Sequence, residues 1–314
     1  MQIYKILSYL RLLFPLKEKK EYLYTQFLNL FMNKSKGAIG IFDSGYGGLS
    51  IFREIHKLLP EYDFVFLGDN ARAPYGDRSF EEVFAFSDQA VKKLFELGCP
   101  LVIIACNTAS AKALRTIQQV ELPKSEDPSK RVLGVIRPTI ERVADLSYSK
   151  HIGIIATQAT ISSESYILEL NKYAPQITAN TQACPRWVPL IEKGDLTSEE
   201  LHNIVKEDIQ TLLAKDSWID TIVLGCTHYP LITSLIQRVL QELDLPEIIL
   251  MPQGKPVAYS LKDYLKRHPE IEQRLTKESK VKYYTTGNVA TFDKHASTFI
   301  GKDETVFSES IVLE

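Results

Sequence analysis

The sequence predicts an α/β fold of two pseudo-symmetric halves, each a largely parallel sheet flanked by helices, with the active site in the cleft between them. Three observations carry this. From Ala38 onward, short β-rich runs alternate with helical patterns. The runs are almost continuously apolar, as strands covered on both faces are. A strand followed by a small polar loop, and a later strand ending in cysteine, occur twice in the same order.

Taken in chain order, the expected strands are "AIGIF" (38–42), "DFVFL" (63–67), "LVIIA" (101–105), "VLGVI" (132–136), "IGIIA" (152–156), "TIVLG" (221–225), "EIILM" (247–251) and "VKYYT" (281–285). Helical periodicity fills most gaps, as in "LSIFREIHKLL" and "SFEEVFAFSDQAVKKLFEL". The first half opens with "AIGIFDSGYGGLS" and reaches Cys106 after 63 positions (106 minus 43); the second opens with "HIGIIATQATISS" and reaches Cys226 after 69 (226 minus 157). Open α/β sheets bind ligands outside the carboxyl ends of their strands, so face-to-face halves would set the two thiols across one cleft. The expected division is 37–132 plus 251–314 for the first domain and 133–250 for the second, with the polar "PKSEDPSK" (123–130) as linker.

Residues 1–36 read as an N-terminal extension to which no order is assigned. Arg11 and Pro15 break its apolar stretch, the charge run "KEKKE" follows, and no small-residue cleavage site appears. Met32 is an alternative start. No run approaches the ~18–20 apolar residues of a membrane span, so no membrane association is expected.

Composition excludes further classes. Lys+Arg 37 against Asp+Glu 39 gives a net charge of -2, without the basic field of a non-specific nucleic-acid binder. No nucleic acid is expected as a partner. Cys99, Cys106, Cys184 and Cys226 lie far apart with no C-x-x-C pair, unlike a disulfide framework or a zinc ribbon. That places the chain in a reducing cytoplasm and assigns no metal.

A cysteine in an apolar run is ordinarily a small buried hydrophobe, and Cys99 and Cys184 keep that reading. Cys106 and Cys226 differ. Each stands at a strand's end beside polar residues, Asn107 and Thr108 in one case and Thr227 in the other. A following helix would turn its amide groups on the site, which lowers a thiol's pKa and binds carboxylate. His228, two residues after Cys226, can exchange protons with that thiol. His56, His151, His202, His268 and His295 stay structural or surface residues.

"DSGYGGLS" has the spacing G-x-G-G, with Ser50 where a dinucleotide fingerprint needs its third glycine, and no G-K-[ST] is present. A tight strand-to-helix turn accounts for the glycines. It does not account for Asp43 and Ser44, an acid and a hydroxyl at the expected cleft edge. Glu192, in "VPLIEKG", reads on its own as a solvated helix-end charge.

The blocks "IGIFDSGYGGLS", "GDNARAPYG", "ACNTAS", "GVIRP", "ATQATISS", "VPLIEKG" and "LGCTHYPLI", in this order from Ala38 to Leu231, resemble bacterial glutamate racemases, with weaker similarity in "YYTTGN". Cofactor-independent aspartate racemases share the architecture and paired thiols, but "CNTAS" with "GCTHYP" is similar to the glutamate branch. The resemblance implies racemisation of glutamate without a cofactor, by Cys106 acting on D-glutamate and Cys226 on L-glutamate from opposite faces of Cα. It implies that Asp43 assists the first thiol, and that His228, supported by Glu192, assists the second. Ser44, Tyr75, Gly76, Asn107, Thr108, Thr157, Thr160 and Thr227 match positions whose side chains or backbone hold the substrate's ammonium and carboxylates. A homodimer and a supply of D-glutamate for peptidoglycan are implied as well.

Two features depart from the family pattern, Gln253 in "LMPQG" and Arg186–Trp187 in "ACPRW"; neither is expected to touch the proton-transfer groups, and both leave the detailed pocket rim and any regulatory contacts open. Rival classes are an aspartate racemase-like enzyme, a redox or metal protein using Cys106, Cys226 and His228, and a silent amino-acid-binding module.

Overall fold

The structure, a computed structural model, describes residues 36–301 and 305–313. The expected extension 1–36 lies, but for its last residue, outside the described residues.

Ten strands form two sheets. A six-stranded sheet has the order β10-β9-β2-β1-β3-β4, and a four-stranded sheet has the order β6-β5-β7-β8. The strands are β1 (Ile39–Asp43), β2 (Phe64–Gly68), β3 (Leu101–Ile104), β4 (Arg131–Gly134), β5 (His151–Ala156), β6 (Thr178–Ala183), β7 (Thr221–Gly225), β8 (Ile249–Met251), β9 (Val281–Thr285) and β10 (Ser308–Ser310). Every pairing between them is parallel. All-parallel sheets need helices on both faces. Accordingly Ile39, Ile41, Phe64 and Phe66 pack into one core of the first sheet, while Phe42, Val65, Leu67 and Val102 pack into the core on its other face. The second sheet repeats this, with Ile222 and Leu224 on one face and Ile152, Ile154 and Val223 on the other.

The helical readings hold at both quoted segments. Leu49–Leu58 buries Leu49, Ile51, Phe52 and Ile55 against the first sheet. Phe80–Glu96 starts at a capping box, in which Ser79 Oγ accepts from the Glu82 amide and Glu82 accepts from the Ser79 amide. Two strands, β6 and β10, have no counterpart in the sequence reading. Both are edge strands of polar sequence, "TANTQA" and "SES", held by backbone pairing to β5 and β9, so hydrophobicity gives no signal for them.

The domain boundaries shift. β4 pairs with β3 through Gly134, so the expected break between 132 and 133 falls inside a strand of the first sheet. The chain crosses to the second lobe after Gly134, through the helix Ile136–Leu146. "PKSEDPSK" leads into β4 and connects elements of one sheet; it is not the linker between halves. The return crossing follows Met251, the last residue paired with β7, and enters the helix Gly254–Arg267, which packs on the first lobe. Among the described residues no helix is long and apolar enough to cross a membrane.

Candidate active site

Both strand-end cysteines open onto one cleft between the lobes, each 6% exposed. Cys106 follows β3 and caps the helix Asn107–Lys112, its Sγ accepting from the Ala109 amide at 3.5 Å and lying 3.3 Å from Ser44 Oγ. Cys226 follows β7, with its Sγ 3.8 Å from His228 Nδ1. His228 Nε2 lies 3.1 Å from Glu192 Oε1 at the end of the helix Trp187–Glu192. Glu192 is therefore a half-buried partner of a buried histidine, and not the solvated charge its local sequence suggests.

The two thiols face unequal electrostatics. Burial pushes the Cys106 thiol up to about 12, the Asp43 charge adds to this, and the hydrogen bonds from Ser44 and the Ala109 amide oppose it. Burial works against a charged His228, but its bonds to Cys226 and Glu192 outweigh that and raise it to about 10. The net direction favours the imidazolium. Burial also raises the Asp43 carboxyl, against the pull of the His228 charge and of the Gly48 and Gly45 amides.

Asp43 is fully buried and does not line the cleft; it stands behind Ser44. Its Oδ1 accepts from the Gly45 amide, and its Oδ2 has no hydrogen-bond partner among the described residues. Two glycines of "DSGYGG", Gly47 and Gly48, are required by close approach here. A Cβ on Gly48 would fall 2.5 Å from the Asp43 Cβ, and one on Gly47 would fall 2.2 Å from Thr227 Oγ1 and 2.8 Å from His228 Nδ1. Gly47 is the point at which the first lobe's loop meets the second lobe's Thr227–His228 segment.

The polar residues divide into those that reach the cleft and those that back it. Ser44, Asn107, Thr108, Thr157 and Thr227 line it together with Tyr75 and Gly76. Thr160 does not line it; it closes a hydroxyl triangle with Thr108 at 3.3 Å and Thr157 at 3.0 Å, and Thr108 lies 3.0 Å from Thr157 across the lobes. The buried Tyr75 phenol donates to Asp69, which also accepts from Arg72 and Thr286. The Tyr75 hydroxyl hydrogen is therefore committed to Asp69, which leaves its backbone amide as the donor it can offer a carboxylate. The Gly76 carbonyl accepts from the Ala159 amide at 3.1 Å.

The residues at the two departures noted in the sequence do not line the cleft. Gln253 is buried behind Asn107, Trp187 is a core residue donating to the buried Asp208, and Arg186 pairs with Glu207 in solvent. Sequence reasoning passed over Ser50, whose hydroxyl donates to the Thr227 carbonyl across the lobes, while Cys184 is the buried hydrophobe it was read as and also borders the cleft. The signal for Ser50 was its place where a third glycine would stand. No Lys or Arg is among the described residues that line the cleft. Among the described residues no three His, Cys, Asp or Glu side chains converge as a metal-ligand set.

Comparison with known proteins fits this geometry. Residues 39–251 match the family model described as Asp/Glu/Hydantoin racemase. The chain is 38% identical over 278 residues to a glutamate racemase of Ruegeria sp. (strain TM1040), covering 85% of this chain and 98% of that protein. Among solved structures, it is similar to a glutamate racemase isoform from Bacillus anthracis (TM-score 0.77, 30% identity, 88% of this chain and 98% of that one). It is similar also to the Francisella tularensis glutamate racemase in complex with D-glutamate (TM-score 0.76, 30% identity, 89% and 98%). With its motifs, its paired sheets and its two strand-end thiols on one cleft, the chain belongs to the Asp/Glu/Hydantoin racemase family.

Proposed function

We infer that this chain interconverts L- and D-glutamate without a cofactor, supplying D-glutamate for bacterial peptidoglycan. The observation that carries the reading is the pair of thiols, Cys106 and Cys226, bordering one cleft from opposite lobes, each with its own acid/base companion.

A single base would return the Cα proton to the face it came from, so inversion needs a donor on the other side. With the cleft as it stands, Cys106 holds its proton and Cys226 lies beside an imidazolium. In this direction Cys226 works as the thiolate, with its proton held on His228. L-glutamate gives its Cα proton to the Cys226 sulfur while Cys106, as thiol, delivers its own proton to the opposite face and is left as the thiolate, yielding D-glutamate. The reverse reaction exchanges the roles, with Asp43 assisting Cys106. Charge developing on Cα is met by the retained ammonium and by placed donors in a water-poor site. Since the described lining holds no Lys or Arg, the carboxylates rest on neutral donors: the hydroxyls of Ser44, Thr108, Thr157 and Thr227, the Asn107 amide, and the backbone of Tyr75 and Gly76.

The same reading takes the two lobes as the domains that close on substrate, the protein as cytoplasmic, and the working form as a homodimer. Incubation with L-glutamate in D₂O tests it. Loss of optical rotation with deuterium incorporated at Cα is expected; retention of both rotation and the Cα proton would reject racemisation, and racemisation of L-aspartate alone would reject the substrate.

A further inference from the structure

Gln253 is a buried amide just after the return crossing between lobes, and its partners come from both of them. Its Oε1 accepts from Asn107 Nδ2 at 2.6 Å, and its Nε2 donates to Thr139 Oγ1 at 2.8 Å and Tyr166 OH at 2.8 Å and lies 3.2 Å from Asn107 Oδ1. Tyr166 OH in turn donates to Asn107 Oδ1 at 2.8 Å. Asn107 stands on the first lobe; Thr139 and Tyr166 stand on helices packed against the second sheet.

Counting donors and acceptors fixes what Asn107 can offer a ligand. A side-chain amide has two lone pairs on oxygen and two hydrogens on nitrogen. Asn107 Oδ1 accepts from Tyr166 OH and faces the Gln253 Nε2 group at 3.2 Å, where the two Gln253 hydrogens are shared among three acceptors and its shorter bonds go to Thr139 and Tyr166, and one Asn107 Nδ2 hydrogen is committed to Gln253 Oε1. One N–H remains. Turning the Asn107 amide over would press its oxygen against Gln253 Oε1 and its nitrogen against the donors, so the network admits one orientation. Burial raises the Tyr166 phenol well above its ordinary value, against the pull of its bond to Gln253, which keeps the hydroxyl a donor throughout the working pH range.

We propose that Gln253 is a positioning residue which, with Tyr166, locks the Asn107 amide so that it presents a single N–H to the cleft, making Asn107 a reader of substrate carboxylate oxygen and never of ammonium. This rests on the glutamate reading of the site. Gln253 touches no cleft surface itself and acts through Asn107.

The test is a double-mutant cycle on the full chain, with D-glutamate as ligand and calorimetric Kd as the readout, alongside KM and kcat. Gln253→Met keeps length and removes the amide. It should weaken D-glutamate binding roughly ten-fold, the scale of one buried hydrogen bond left unmade, with the loss in KM and not in kcat. In an Asn107→Ala background the same change should have no further effect. Binding within two-fold of the unmodified chain, or an equal loss in both backgrounds, overturns the proposal. Should Gln253→Met fail to fold, Tyr166→Phe, which removes the second donor to Asn107 Oδ1, runs the same cycle with the same criteria. If the unmodified chain neither binds nor racemises D-glutamate, the glutamate reading fails and this proposal with it. If it binds and Gln253→Met binds equally well, only the proposal fails.

Discussion

Ser50 Oγ donates to the carbonyl oxygen of Thr227 at 2.9 Å, a hydrogen bond between a helix of the first lobe and the segment that follows Cys226 in the second. The bond fixes how near one lobe's glycine loop comes to the other lobe's Cys226–His228 segment. Ser50→Ala leaves a buried carbonyl without its donor and should cost about 1 kcal/mol of stability. Differential scanning calorimetry should register a fall in Tm of a few degrees, with kcat/KM reduced by less than about ten-fold. An unchanged Tm would show that the bond contributes nothing.

Gly47→Ala should be far more damaging to catalysis than to folding. The added methyl carbon would sit 2.2 Å from Thr227 Oγ1, so loop and segment must part by about an ångström. Displacements of that size cost on the order of 10²-fold in rate. The expected result is a loss of that order in kcat/KM with an unaltered far-ultraviolet circular dichroism spectrum, and full activity would refute the close approach.

Replacing either thiol separates exchange from inversion. Cys106→Ser and Cys226→Ser should each lower racemisation by 10² to 10⁴ or more, the usual contribution of a placed acid or base. In D₂O the Cys106→Ser variant should still exchange the Cα proton of L-glutamate, and Cys226→Ser that of D-glutamate, neither with inversion. Proton NMR of each enantiomer reads this out directly. Exchange of both enantiomers by one variant would contradict a base on each face.

His228 gives a stability signature with a definite sign. Its folded-state pKa is raised to about 10, above the ~6.5 of an unfolded chain. A group raised in this way stabilises the fold fully below the unfolded value, and the contribution disappears as pH rises through the folded one. The Tm difference between the unmodified protein and His228→Asn should therefore be widest near pH 6 and close by about pH 10. Because L- and D-glutamate are equal in free energy, His228→Asn must lower kcat/KM equally in both directions, and polarimetry run from each enantiomer checks that.

Much of the fold could be read from pattern, because buried parallel strands are nearly continuous apolar runs and both lobes are built from them. β6 escaped because an edge strand needs only backbone partners, and "TANTQA" has no hydrophobic reason to be a strand. The first boundary missed by two residues because "VLGVI" reads as one apolar run, yet the pairing with β3 stops at Gly134 and the rest begins a helix. At the site, Cys106, Cys226 and His228 stood out as candidates because a thiol at a strand's end beside polar neighbours is unusual, and all three line the cleft. Glu192 and Asp43 drew their roles from resemblance, and the structure adds their burial and their neighbours. Gln253 and Ser50 could not be read, since their partners lie 146 and 177 positions away in the chain.

The backbone passes between the lobes twice, once after Gly134 and once after Met251. Two tethers define an axis, as two pins define the swing of a door, so one lobe can rock about the line joining them while twisting or sliding past its neighbour is resisted. Motion of that kind widens the mouth far from the axis and barely disturbs side chains lying on it. Gln253 sits beside one pin, so its bonds to Asn107 on one lobe and to Thr139 and Tyr166 on the other lie where such rocking would disturb side chains least.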